Sequence, residues 1–133
     1  MPSVSVRYIV DDVDDAIRFY VDHLGFTEVM HPAPSFAMLA RGDLRLALSK
    51  PGGGPGGGSA LPDGTVPTPG GWNRFALEVD DVDDLYATLV AAGVHARSAV
   101  IDGVGGRQVI IDDPSGNAVE LFQPTIAEAK LDG

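Results

Sequence analysis

Val6-Arg7-Tyr8-Ile9-Val10-Asp11-Asp12-Val13-Asp14-Asp15 and Phe75-Ala76-Leu77-Glu78-Val79-Asp80-Asp81-Val82-Asp83-Asp84 decide how this chain folds. The Asp-Asp-Val-Asp-Asp block recurs identically 69 residues later, each time behind a short β-rich run. A helical pattern follows each copy. Val13, Ile17, Tyr20, Val21 and Leu24 form one apolar stripe, and Leu85, Leu89 and Ala92 form a second. Gly25 and Gly93 then stop the helices, because glycine takes up left-handed backbone without strain. One aspartate of each block is expected to cap free helix N–H groups, and the others to meet the positive end of the helix dipole. The Asp-rich blocks do not read as calcium loops, since the glycine and the terminal bidentate Glu of an EF-hand are missing.

Three strand-like runs follow each helix: Phe26–His31, Ser35–Ala40 and Asp43–Ser49, then His95–Ile101, Arg107–Asp112 and Asn117–Phe122. Both halves therefore read β-α-β-β-β. A half of this size cannot cover both faces of its own sheet, so the halves are expected to pair into one domain over residues 1–133. The first module runs over 3–49 and the second over 72–124. Residues 50–71 join them with nine Gly and five Pro. No Gly-Lys-Ser/Thr follows the glycine tract, so it is not a phosphate loop but a flexible crossover, stiffer through Pro67 and Pro69 towards Trp72. The tail 125–133 is expected to form one helical turn or to fray.

Composition narrows the function. The chain has 133 residues, 19 acidic against 9 basic, a formal charge of −10 and no cysteine. That balance argues against nucleic acid, whose backbone is met by Lys and Arg, and against anionic membrane surfaces. Without cysteine there is no disulfide framework and no thiolate chemistry. The start MPSVSVRYIV lacks a basic leader and a long apolar core, and no apolar run reaches membrane-spanning length. A cytoplasmic location is the expectation.

Several stretches carry a resemblance: Phe19-Tyr20 in the first helix, Leu24-Gly25-Phe26 after it, Ala91–Val94 at the end of the second helix, and Asp113-Pro114-Ser115-Gly116-Asn117-Ala118-Val119-Glu120-Leu121-Phe122. With the paired modules, they resemble the vicinal oxygen chelate superfamily of glyoxalases, bleomycin resistance proteins and dioxygenases over residues 3–124. Gly70-Gly71-Trp72-Asn73-Arg74 is similar to a branch of short bacterial members. The resemblance implies an α+β fold in which two βαβββ modules curl mixed sheets around a concave cleft that holds a small molecule.

Metal-dependent members of this superfamily hold a divalent ion with His, His and Glu from the first and last strands of the modules. By resemblance, the first-strand ligand lies seven residues before the second Asp of the block. That position is Ser5 in the first module and Arg74 in the second. The last-strand position is Glu120, and its first-module counterpart, counted from Gly42 and Gly116, is Leu46. Serine, leucine and arginine do not make a metal site with one carboxylate, so no cofactor is expected; a divalent metal held at Glu120 is the alternative. His23, His31 and His95 fall at element ends, away from these positions. Because first and last strands are neighbours in this topology, Arg74 and Glu120 are expected to form a salt bridge, with bidentate geometry open to them.

Alternation sends Ser5, Arg7 and Ile9 to one sheet face with Arg74, Ala76 and Glu78, while Val4, Val6, Tyr8, Val10, Phe75, Leu77 and Val79 go under the helices. Glu120 and Phe122 share a face, Trp72 stands at the cleft mouth, and Phe36, Met38 and Met30 are wall candidates. Trp, Phe and Met walls with few polar anchors suit a flat, partly apolar ligand. Two functions follow. The first is a metal-free binding protein of the bleomycin-resistance type, a homodimer by resemblance, sequestering an antibiotic or aromatic metabolite through Trp72, Arg74, Glu120, Phe122, Arg7, Ser5, Phe36 and Met38. The alternative is a lyase, isomerase or dioxygenase with unorthodox metal ligands, or with acid–base catalysis by Glu120 or Glu78.

Overall fold

The computed structural model describes residues 4–52 and 57–131. Residue 3 of the first module, 53–56 of the glycine tract and the last two residues of the tail lie outside them. The chain divides into two compact units, Met1–Gly71 with Pro114–Asn117, and Trp72–Asp113 with Ala118–Gly133. Each is built on one βαβββ module.

In the first unit, β1 (Val4–Ile9) leads into α1 (Val13–Leu24), and β2 (Thr27–Ala33), β3 (Phe36–Arg41) and β4 (Leu44–Ser49) follow. The sheet order is β1-β4-β3-β2, with β1 and β4 parallel and the remaining pairs antiparallel. Asp12 caps α1, its carboxylate accepting from the Asp15 N–H at 3.0 Å, and Gly25 closes the helix at φ 72°. The buried stripe is Val13, Ala16, Tyr20 and Leu24 together with Phe19. Val21, expected in that stripe, stands exposed instead, and Phe19 takes the space. The physical reason is aromatic packing. Tyr20, fully buried, meets Phe19 edge-on at 5.0 Å and Phe26 at 5.3 Å, contacts worth about 0.5–1.5 kcal/mol each beyond their burial. Under the helix lie Tyr8, Val10, Ala37, Leu39, Leu46 and Leu48, as strand alternation requires.

The second unit repeats the plan: β5 (Phe75–Glu78), α2 (Val82–Ala91), β6 (Ile101–Gly103), β7 (Gly106–Asp112) and β8 (Ala118–Pro124), in the order β5-β8-β7-β6. Asp81 caps α2 through the Asp84 N–H at 3.0 Å. The helix buries only Val82 and Leu89, and Ala92, expected on its stripe, lies past its end and exposed. The expected strand His95–Ile101 is also shorter. Residues 95–97 do pair beside β7, Arg97 N–H donating to Ile110 O at 2.9 Å and Asp112 N–H to His95 O at 2.9 Å. The chain then bends through 97–99 and rejoins the sheet only as β6. After β8, Ala127–Ala129 forms a single 3-10 turn. No described helix is long and apolar enough to cross a membrane.

Two further features concern the connection. Its last part is tied down, Gly70 N–H donating to Asn117 Oδ1 at 2.8 Å, while Asn117 Nδ2 donates to Ile9 O at 2.8 Å. Its described glycines also fold tightly. Gly52 N–H donates to Gly58 O at 2.6 Å, and Gly58 lies so close to the Lys50 carbonyl that a side chain there has no room. The crossover is thus shaped at both ends.

Candidate functional site

In each unit, one sheet face lies under the helix and the opposite one carries the polar candidates. For the second unit, register places Ala76, Glu120 and Ile110 abreast, and Glu78, Phe122 and Gln108 abreast one step along. Arg74 precedes β5 on the same parity. Its Nε donates to Glu120 Oε1 at 3.0 Å, its Nη2 lies 3.0 Å from the same oxygen as an ion pair, and its Nη1 donates to the Trp72 carbonyl at 3.2 Å. The expected salt bridge is present, but it is not a two-oxygen fork. Among the described residues Glu120 Oε2 accepts nothing, and the Glu120 side chain is 15% exposed, so that oxygen keeps its capacity for a donor.

Trp72, the sole tryptophan, is 67% exposed. The Arg97 guanidinium lies over its ring at 4.5 Å from the centroid, a cation–π contact. Arg97 is in turn aimed by Asp112, whose Oδ1 accepts from Arg97 Nε at 2.8 Å while its Oδ2 meets His95 Nδ1 at 2.6 Å. Sequence reading missed this group. Arg97 and Asp112 are 15 residues apart and no local pattern joins them; only the pairing of residues 95–97 with β7 brings them together. Phe122 is half-buried, and Gly106 is without a side chain where the Phe122 ring lies against it.

In the first unit the matching face carries Ser5, Arg7 and Ile9 on β1, Arg45, Ala47 and Ser49 on β4, and Phe36, Met38 and Ala40 on β3. Met30 pairs with Met38. Ser5 and Arg7 are exposed, and Phe36 and Met38 half-buried. One sequence assignment changes here. Glu120 lies beside Ala76, and the first-unit equivalent of Ala76 is Arg7, whose partner is Ala47. Leu46 points to the helix side and is fully buried. Counting from the glycines misled by one residue, because Gly42 sits in a shorter hairpin loop than Gly116. A one-residue slip turns a side chain to the other face.

The resemblance noted in the sequence implies a divalent metal in some members. The positions are Ser5, Ala47, Arg74 and Glu120. A guanidinium offers no lone pair to a metal, alanine offers no donor, and one oxygen of the remaining carboxylate is already held by Arg74. No group of three or more His, Cys, Asp or Glu suited to an ion occurs among the described residues. The set does not fit a divalent ion.

Comparison with known proteins agrees with the topology. Residues 4–121 match the profile of the Glyoxalase/Bleomycin resistance protein/Dioxygenase superfamily, and the chain belongs to that superfamily. The fold is the one its members share, two βαβββ modules with open mixed sheets. A superfamily member from Sphaerobacter thermophilus is similar at 28% identity with a TM-score of 0.73, over 92% of this chain and 97% of that one. TnmS3, an antibiotic binding protein from Streptomyces sp. CB03234, is 27% identical with a TM-score of 0.71, over 94% and 97%. Lactoylglutathione lyase from Agrobacterium tumefaciens is 25% identical with a TM-score of 0.69, over 92% and 94%. No curated protein matches the chain.

Proposed function

We propose that this protein binds a flat, partly aromatic small molecule, an antibiotic or a metabolite, and releases it unchanged, without a metal. The observation that carries the reading is the Arg74 guanidinium on Glu120: a fixed internal cation stands where metal-dependent relatives need a ligand. The exposed Trp72 ring, backed by Arg97, supplies a stacking surface, and Glu120 Oε2 supplies a hydrogen-bond acceptor in the same unit. Antibiotic binding in TnmS3 supports the ligand class. A cytoplasmic homodimer completes the proposal, and light scattering on the purified protein checks the dimer.

A thermal-shift screen of antibiotics and aromatic metabolites, followed by mass analysis of each stabilising compound, tests the reading. Stabilisation with unchanged ligand mass is the expected outcome. Turnover of a bound compound establishes the enzyme alternative instead, with Glu120 as its first candidate base. Added divalent ions and a chelator should each move Tm by less than about 1 °C, since a ligand stabilises only when it prefers the folded state.

A further inference from the structure

The arginines of this chain are mostly neutralised from within. Arg18 pairs with Asp15, Arg74 with Glu120, Arg97 with Asp112, and Arg107 with Asp83 and Asp102. Arg45 turns back onto the carbonyl oxygens of Gly42 and Leu44. Arg7 is different. It is exposed, and among the described residues its guanidinium has neither an ion pair nor a hydrogen bond. Acids are not scarce in a chain of 19 acidic and 9 basic residues, so this cation on a sheet face calls for an explanation.

Its surroundings are ordered and lopsided. Strand register sets Arg7, Ala47, Met38 and Met30 in one row across the sheet, with Phe36 in the adjacent row. The row thus runs from one cation through a small residue to flexible apolar side chains. From the connection, Gly57 lies directly against the guanidinium at φ 93°, and a Cβ there would overlap it. Only glycine admits this approach, so the arginine head has a defined seat although it makes no polar bond among the described residues.

We infer that this face takes the anionic end of an apolar molecule: a carboxylate, or a mono-anion of similar size, on Arg7, and the apolar body on Phe36, Met38 and Met30. Charge complementarity carries the inference, because a guanidinium beside an apolar row matches an amphipathic anion and no acid among the described residues pairs with it. It rests on the reading above that the protein binds small molecules, and it concerns the sheet face of the first unit alone.

Calorimetry with naphthoate and its neutral amide, naphthamide, on the full chain is the test. The acid should bind about tenfold more tightly than the amide, the difference expected for one charge-assisted hydrogen bond. Added salt should narrow the preference. Arg7→Gln should abolish it by bringing naphthoate down to the affinity of naphthamide, and Arg7→Lys should restore part of it. Gly57→Ala, which displaces the guanidinium, should narrow it as well. Equal affinities on the natural protein, or a preference that survives Arg7→Gln, overturn the inference. So does failure of both probes to bind, and a dimer dissociated by Arg7→Glu then identifies a second copy as the occupant of the face. The compound screen judges the binding reading separately, so the two failures are told apart.

Discussion

Arg74 sets Nε and Nη2 on the same oxygen of Glu120, each at 3.0 Å, and leaves the second oxygen without a donor among the described residues. Arg107 and Asp83 show the other geometry, Nε on Oδ2 at 3.1 Å and Nη2 on Oδ1 at 2.7 Å, one nitrogen to each oxygen. The fork joins α2 to β7 and is structural. The one-oxygen arrangement holds Glu120 in place and keeps an acceptor for something else.

Removing the Arg74 side chain should therefore lower stability modestly, by about 1 kcal/mol, because the pair is partly solvated and Glu120 can rehydrate. Arg74→Lys should fall between the natural protein and Arg74→Ala, since an ammonium cannot span Glu120 and the Trp72 carbonyl in one planar group. Urea denaturation of the three proteins checks the order.

Trp72 should matter for ligands far more than for folding. Its ring is 67% exposed, so Trp72→Ala should change stability by less than about 1 kcal/mol, the scale of its contact with Arg97. Affinity for an aromatic ligand should fall about tenfold. As the sole tryptophan, Trp72 also reports binding directly through quenching of its fluorescence. A ligand that stabilises the protein with no change in that emission would place its binding elsewhere.

The aspartate blocks should divide by position rather than by charge. Asp12→Ala and Asp81→Ala each remove a helix cap and should cost about 1 kcal/mol. Asp11→Ala should cost less than about 0.5 kcal/mol, because only the backbone N–H of Asp11 is engaged, donating to Ser115 Oγ at 2.8 Å. Thermal unfolding of the three variants distinguishes a cap effect from a general loss of negative charge.

Asp63 gives the connection a pH dependence. Its carboxylate accepts the Thr65 N–H at 2.9 Å, and this backbone hydrogen bond, helped by one from the Thr65 side chain, holds its pKa below the ordinary 3.8. A lowered folded value means that the turn is stabilised above the ordinary pKa and loses that stabilisation as pH falls through the lowered one. The Thr65 amide resonance should thus titrate with a midpoint below 3.8, and a midpoint at or above 3.8 would refute the contact.

Most of the fold is legible along the chain. The repeat yields two equal modules, the aspartates at 12 and 81 cap their helices, and alternation correctly buries Tyr8, Val10 and Leu77. Each of these depends on neighbours a few residues away, where helix and strand periods act. Errors arise where spacing changes with a loop. Leu46 takes the place of Ala47 because two hairpins close with loops of different length, and the run at 95–101 leaves its ladder at a bend.

Residue type and period alone therefore account for the two modules and for the face on which Arg74 and Glu120 lie, while the resemblance of particular motifs adds the superfamily and the ligand positions at which arginine and serine stand. Tertiary structure decides the rest: that both Arg74 donors fall on one Glu120 oxygen, that Arg97 and not Arg74 covers the Trp72 ring, and that Gly57 seats Arg7 without neutralising it. The division has a physical cause. Which face a residue takes follows from backbone periodicity, which is local, whereas which atoms meet depends on side chains brought together from distant strands and loops, and on the torsions they adopt there.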